Sequence, residues 1–293
     1  MKKILLVYNP ISGQAAFKSK LDKIIEAFQR RGIILTMYRT RRDNNFDFVD
    51  FVNESRVDGI ISAGGDGTLH AVVNLMMKYK IDLPLGIIGS GTSNDFATYL
   101  GLNDLESYFD RIVVGKTRRV DIGLVNGEEF FINVASAGSM TAIAHEVNVK
   151  LKNFFGKPAY YIQGLKELPK FKAVNIQVNA DSVNFEIEAF LFIVLNSGTV
   201  AGMKKITDEA KIDDGKLDLI VVKKCNAGSI LKITREIFSG RGVNLKNENI
   251  FHLQSKKFLV SSTDDLTSDI DGEVGSKLPL EIETIPLALE FFV

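Results

Sequence analysis

Through about residue 120, short apolar runs alternate with segments of helical spacing, and this alternation limits the chain to a few architectures. Ile4–Tyr8 is a continuous apolar run, as expected of a strand covered on both faces. Phe17, Leu21, Ile24, Ile25 and Phe28 then recur at helical spacing until Arg31-Gly32 stops the helix. Ile33–Tyr38 and Gly59–Ala63 read as the next strands, with a short helix at Phe46–Val52 between them. Leu69, Val72, Val73, Met76 and Met77 mark another helix, Pro84–Ile88 a fourth strand, and Asn94–Leu100 opens one more helix. Strand and helix at this spacing predict right-handed βαβ units and a doubly wound parallel sheet.

The pattern changes near Arg118. Val120–Val125 and Glu129–Val134 flank Asn126-Gly127, a type I′ hairpin signal. Strand-like runs follow at Val174–Val178, Phe185–Leu195, Leu217–Val222, Lys257–Ser261 and Leu280–Thr284, with helical spacing at Met140–Leu151, Ala159–Leu168 and Gly228–Phe238. The predicted fold is α/β. An N-terminal doubly wound parallel-sheet nucleotide-binding domain (1–120) precedes a C-terminal, mainly antiparallel β-sandwich domain (121–285). A last strand near 286–293 is a candidate to return to the first domain. A length of 293 residues suits two domains.

Composition narrows function. Lys+Arg and Asp+Glu both number 36, so charge gives no argument for nucleic acid. The single Cys225 precludes an intramolecular disulfide and a cysteine-built metal site, and fits a reducing compartment. Met1–Tyr8 has the charged start of a signal peptide, but its apolar run is short and ends in Asn9-Pro10. The longest apolar stretch, Ala189–Leu195, is far short of the roughly 20 residues a membrane helix needs. The expectation is a cytoplasmic protein with any membrane contact peripheral, at the inner face.

Three loops at predicted strand ends are rich in Gly, Ser, Thr or Asn: Asn9–Gly13, Gly64-Gly65-Asp66-Gly67-Thr68, and Gly89–Asp95. Ligands of open α/β sheets bind outside the carboxyl ends of the strands. Loops there that present backbone N–H groups at helix starts form phosphate sites. One such loop is an ordinary connection; three in succession point to a nucleotide. Asp66 sits between glycines at a helix start, where a carboxylate can hold magnesium or simply cap a helix. Neither a P-loop nor the protein-kinase signatures occur.

These residues are similar to those of the bacterial soluble diacylglycerol kinases and related lipid kinases, whose catalytic domain is shared with sphingosine and ceramide kinases. Gly64–Thr68 carries the resemblance, together with Asn9-Pro10-Ile11-Ser12-Gly13, Gly91–Ala97, Asn133–Gly138, Asp213–Asp218 and Asp271-Gly272-Glu273, in family order across nearly the whole chain. The resemblance implies ATP and Mg2+ as cofactors and a diacylglycerol-like lipid as substrate. It implies ATP contacts from Asn9, Pro10, Ser12, Gly13, Thr40, Gly64, Gly65, Asp66, Gly67, Thr68 and Thr92. Asp66 and Asp95 would organise the catalytic Mg2+, and Glu273 would be the general base. Asp214 with the carbonyls of Lys211 and Lys216 would hold a second, structural Mg2+. A homodimer is the assembly the resemblance allows. Two departures stand out: His70-Ala71 where the family has Asn-Glu, leaving open the loss of a contact, and Gly89-Ser90 where a Pro is common.

Read apart from the resemblance, Glu273 lies in a Gly-rich turn, where acids are usually only solvated, and Asp213-Asp214-Gly215 is an ordinary turn. His70, His145 and His252 lack zinc spacing. From Lys150 to Lys172, lysines interleave with Phe154, Phe155, Tyr160, Tyr161 and Phe171. That is first of all a solvated helix face with its aromatics in the core; docking on anionic lipid is the alternative. The competing functions are an NAD kinase, which shares Gly64–Thr68, and a catalytically silent nucleotide-binding regulator.

Overall fold

The computed structural model describes residues 1–293 apart from 11–15, 42–44, 46, 92, 103, 139–171, 182, 201 and 204, and apart from the side chains of 16–20 and 238. The expected helices Met140–Leu151 and Ala159–Leu168, and the lysine-aromatic stretch up to Phe171, lie outside the described residues. So do Ser12, Gly13 and Thr92.

Strand β1 (Lys3–Tyr8) has no polar face because it is the centre of a parallel sheet: Ile4, Leu5, Leu6 and Val7 are all buried. It pairs with β2 (Ile34–Arg39) on one side and β3 (Gly59–Gly64) on the other, and β3 pairs with β4 (Leu85–Gly89), all parallel. The intervening helices are α1 (Ala16–Arg30), α2 (Phe48–Ser55), α3 (Asp66–Lys78), α4 (Asp95–Tyr99) and α5 (Leu105–Val114). Phe28 of α1 and Phe109 of α5 are buried against each other, ring centroids 4.7 Å apart. Sequence reasoning passed over α5, although its end signals are present. Asp104 accepts from Glu106 N at the start, and Gly115 closes the end at φ +79°.

After α5 the chain turns antiparallel. β5 (Thr117–Val125) and β6 (Glu129–Phe131) form the hairpin, with Asn126 and Gly127 at φ 52° and 71° as a type I′ turn requires. Then come β7 (Val134–Gly138), β8 (Val174–Ala180), β9 (Val183–Leu195) and β10 (Leu217–Lys223). α6 (Ala227–Phe238), β11 (Ile250–Ser255), β12 (Lys257–Ser262), β13 (Thr267–Ile270), β14 (Glu273–Lys277) and β15 (Leu280–Phe292) complete the chain. The antiparallel order is β14-β13-β7-β9-β8-β12-β15, with β10 also on β9 and β11 on β10. A core of Phe131, Ile176, Phe192, Leu217, Phe258 and Ile282 fills this half. Each such fully buried side chain contributes about 1.5–3 kcal/mol.

β15 ties the two halves together. Leu280–Glu283 pair with β12, Ile282–Ile285 with β5, and Leu289–Phe292 with β5 again, while Phe291 aligns in parallel with Leu85 of β4. Between Ile285 and Leu289 the register shifts. There the fully buried Asp121 accepts from Leu287 N at 2.7 Å and from Gly215 N at 2.7 Å. Burial pushes the Asp121 carboxyl up, and those two amides oppose the rise.

Two expectations need correction. The strand expected at Glu129–Val134 is broken, because the amides of Ile132, Asn133 and Val134 donate to the Asp271 carboxylate rather than to a neighbouring strand. The Gly-rich turn at Asp271–Gly275 is a hairpin: Asp271 and Gly272 take φ 52° and 92°, and Ile270 pairs with Glu273.

Candidate active site

Main-chain bonds stitch the loops at the carboxyl ends of β1–β4 side by side. Thr40 N donates to Tyr8 O at 3.0 Å, Asn9 N to Ala63 O at 3.2 Å, and Ser90 N to Gly64 O at 2.8 Å. Asn9 Nδ2 also donates to Thr68 Oγ1 at 3.3 Å. The Gly64–Thr68 and Gly89–Asp95 loops touch backbone to backbone: a Cβ on Gly91 would lie 2.7 Å from Gly65 Cα. Glycine is required at that approach. These loops bound a cleft of about 440 Å³ lined by Asn9, Pro10, Thr40, Gly67, Thr68 and Ala71, among others. The volume is within the range of small-molecule sites.

Asp66 is half-buried and turns toward α4. Its two carboxylate oxygens accept from Asn94 N at 2.9 Å and Asp95 N at 2.7 Å, so it caps a helix other than its own. Asn94, at φ 50°, keeps its side chain for the loop, accepting from Gly91 N at 2.9 Å. Burial raises the Asp66 carboxyl, and the two amides hold it back. Asp95 is buried and accepts from Gly202 N at 2.7 Å. Asp66 and Asp95 thus stand on adjoining loops, linked through the Asp95 amide.

Against the glycine loop stands the Asp271–Glu273 hairpin. The exposed Glu273 reaches the glycine loop: a Cβ on Gly67 would lie 2.8 Å from Glu273 Oε1. Asp271, its side chain only 2% exposed, accepts from Ile132 N at 2.7 Å, Asn133 N at 2.8 Å and Val134 N at 3.0 Å. Helix α3 grips the same region. Asn74 accepts from Phe130 N and donates to Phe130 O, both at 2.9 Å. His70 Nδ1 lies 3.3 Å from Asp271 Oδ2. Asn74 was not picked out by sequence reasoning, and Asp271 only as part of the Asp271-Gly272-Glu273 block, without a role of its own. The Asp-Gly step in a strand-like run and the i, i+4 spacing of His70 and Asn74 were the available signals.

The Asp213–Lys216 turn stands apart from this group. Asp214 is exposed and accepts from Lys216 N at 3.0 Å, and Asp213 pairs with Arg118 at 2.6 Å. Lys211 and Lys216 are exposed. Among the described residues, no group of three or more His, Cys, Asp or Glu side chains is arranged to hold a metal ion. No helix among them is long and apolar enough to cross a membrane.

Residues 3–125 match the family of the diacylglycerol kinase catalytic domain, and 133–293 match the YegS C-terminal NAD kinase beta sandwich-like domain. Along 99% of its length the chain is 36% identical to a diacylglycerol kinase of Staphylococcus epidermidis, covering 92% of that protein. The chain belongs to the diacylglycerol kinase family. The diacylglycerol kinase of Staphylococcus saprophyticus is also 36% identical, with 99% of this chain and 95% of that one aligned. A crystal structure of a diacylglycerol kinase from Bacillus anthracis superposes with a TM-score of 0.80 at 26% identity, covering 99% of this chain and 96% of that one. This diacylglycerol kinase family member is therefore a lipid kinase, with the parallel-sheet and β-sandwich halves of the family. The C-terminal match is to an NAD kinase-like β-sandwich over residues 133–293, whereas the diacylglycerol kinases align over 99% of the chain.

Proposed function

We propose that this protein transfers the γ-phosphate of ATP, with Mg2+, to the hydroxyl of diacylglycerol, giving phosphatidic acid and ADP. One observation carries the reading: Glu273, from the antiparallel half, stands against Gly67 of the glycine loop in the parallel half. A carboxylate set against a phosphate loop is what in-line transfer to an unactivated alcohol needs. The alcohol oxygen forms its bond to phosphorus as the bond to the ADP oxygen breaks, and Glu273 takes the hydroxyl proton. Asn9, Pro10, Thr40, Gly64, Gly65, Gly67 and Thr68 would cradle the nucleotide, with Ser12, Gly13 and Thr92 on the same loops. Asp66, Gly67 and Thr68 form the first turn of α3, whose free amides would face the phosphates.

The chemistry of the donors suits a hard divalent cation: Asp66 and Asp95 would offer carboxylate oxygens from adjoining loops, Asp66 being positioned by the Asn94 and Asp95 amides. Mg2+ held by Asp66 and Asp95 would supply positive charge to offset the negative charge that develops on the transferred phosphoryl group. Asp214, with the Lys211 and Lys216 carbonyls, would hold a second ion as a structural staple. We read residues 1–120, with the returning strand, as the ATP-binding domain and 121–285 as the lipid domain. A lipid could enter the cleft by its head group while its acyl chains stay at a cytoplasmic membrane surface.

The test is to incubate the protein with γ-labelled ATP and Mg2+ alongside diacylglycerol micelles, phosphatidylglycerol micelles or NAD. Label in phosphatidic acid is expected. Label in NAD instead would restore the NAD-kinase reading, and label in another lipid would change the acceptor but not the reaction.

A further inference from the structure

The position that departs from the family pattern, His70, sits at the junction of the two halves. It belongs to α3, the helix that begins in the glycine loop. Its Nδ1 is 3.3 Å from Asp271 Oδ2 and its Nε2 is 3.6 Å from Glu129 Oε1, with an imidazole only 12% exposed. Three carboxylates from the antiparallel half face it: Asp271 from the β13–β14 turn, Glu129 from β6 and Glu273 from β14. From its own helix comes neutral Asn74, whose amide Nδ2 lies 3.3 Å from Nε2. Far from losing a contact, the departure sets one titratable ring among three acids, one of them the group assigned the proton transfer.

We infer that His70 is a positioning residue for phosphoryl transfer: as an imidazolium it ties the Asp271–Glu273 hairpin to the glycine-loop helix and so holds Glu273 against Gly67. The inference rests on the proposed role of Glu273. The contact with Asp271 fixes the turn geometrically, because Asp271 is anchored to three main-chain amides and cannot follow a wandering ring.

Burial by itself would lower the His70 imidazole. The hydrogen bond to Asp271 and the charges of Asp271, Glu129 and Glu273 outweigh it and hold the ring above the ordinary value of 6.5. Because the folded value is raised, the stabilisation from this contact is full below the unfolded value and is lost as pH rises through the folded one. Burial also pushes the Glu129 carboxyl up, and His70 opposes that rise. The ring therefore keeps its charge to higher pH than a free histidine, and the tie between helix and hairpin is strongest where the ring is charged.

The experiment compares wild type, His70→Asn and Glu273→Gln. Asparagine keeps a hydrogen bond donor but carries no charge. The His70 ring proton, assigned by its absence in His70→Asn, is followed by NMR from pH 5 to 9. In parallel, kcat is measured over the same range at saturating ATP and lipid. The expected midpoint for His70 lies above 6.5 and falls by about 0.3 units or more in Glu273→Gln, through reciprocal coupling. In His70→Asn, the ratio of kcat at pH 6 to kcat at pH 8.5 should fall about threefold or more, with KM for ATP changing less than twofold. A residue that only supported the fold would leave that ratio in place.

An unchanged ratio in His70→Asn, or a His70 midpoint at or below 6.5, overturns the inference even if Glu273→Gln is inactive. Conversely, a fully active Glu273→Gln with a shifted His70 midpoint removes the base assignment and with it the catalytic part of the inference. If His70→Asn does not fold, the midpoints in wild type and Glu273→Gln still decide it.

Discussion

Asp271-Gly272 and Asp214-Gly215 are the same dipeptide in the same antiparallel half of the chain, and the structure uses them in opposite ways. The Asp271 side chain is buried and gathers three consecutive amides, which interrupts a strand and brings β13–β14 up to the glycine loop. Asp214 is exposed and bonds only within its own turn, to Lys216 N, while the neighbouring Gly215 N is taken by Asp121. Burial decides the difference. A carboxylate out of water must find several donors or leave them all unsatisfied, whereas one in water can release its partner at little cost.

If that contrast is right, Asp271→Ala produces the largest loss of stability among these acids, about 3–5 kcal/mol, because three amides lose a charged acceptor at once. Urea denaturation would check it, and a loss under about 1 kcal/mol would erase the distinction.

Asp66 should behave like Asp271 rather than like Asp214. Held by the Asn94 and Asp95 amides, it joins the two loops. Asp66→Ala is expected to reduce turnover to less than a tenth and also to lower stability by about 1–3 kcal/mol. Activity retained above a tenth would remove the metal-organising role, and unchanged stability would remove the capping role.

Asp214→Ala is the smallest effect: below about 1 kcal/mol when no divalent cation is present. Added Mg2+ sharpens the comparison. A melting temperature that Mg2+ raises in wild type but not in Asp214→Ala would give this turn its ion; equal responses would leave it a plain turn.

How far the sequence could be read follows the same division. β1 and β3 were legible because a strand buried on both faces is apolar at every position, and α3 because Leu69, Val72, Val73 and Met76 bury one stripe. β14 was not legible: its residues are mostly exposed at a sheet edge, so no hydrophobic alternation marks them. Glu273 was singled out only through family resemblance, since its approach to Gly67 joins residues more than two hundred positions apart. The roles of Asp271 and Asn74 were missed for the same reason. Their partners are main-chain groups of another segment, and no spacing along the chain encodes those. His70 was visible as a departure, but its three acidic neighbours come from β6, the β13–β14 turn and β14.

The central claim is that a base from the antiparallel half completes a phosphate site built by the parallel half. Its most direct test is Glu273→Gln, which keeps the side chain's size and removes its capacity to take a proton. With ATP, Mg2+ and diacylglycerol in mixed micelles, kcat is expected to fall by about 10²–10⁴ while KM for ATP moves less than twofold. A variant with wild-type kcat would contradict the claim and assign the proton to another group at the cleft.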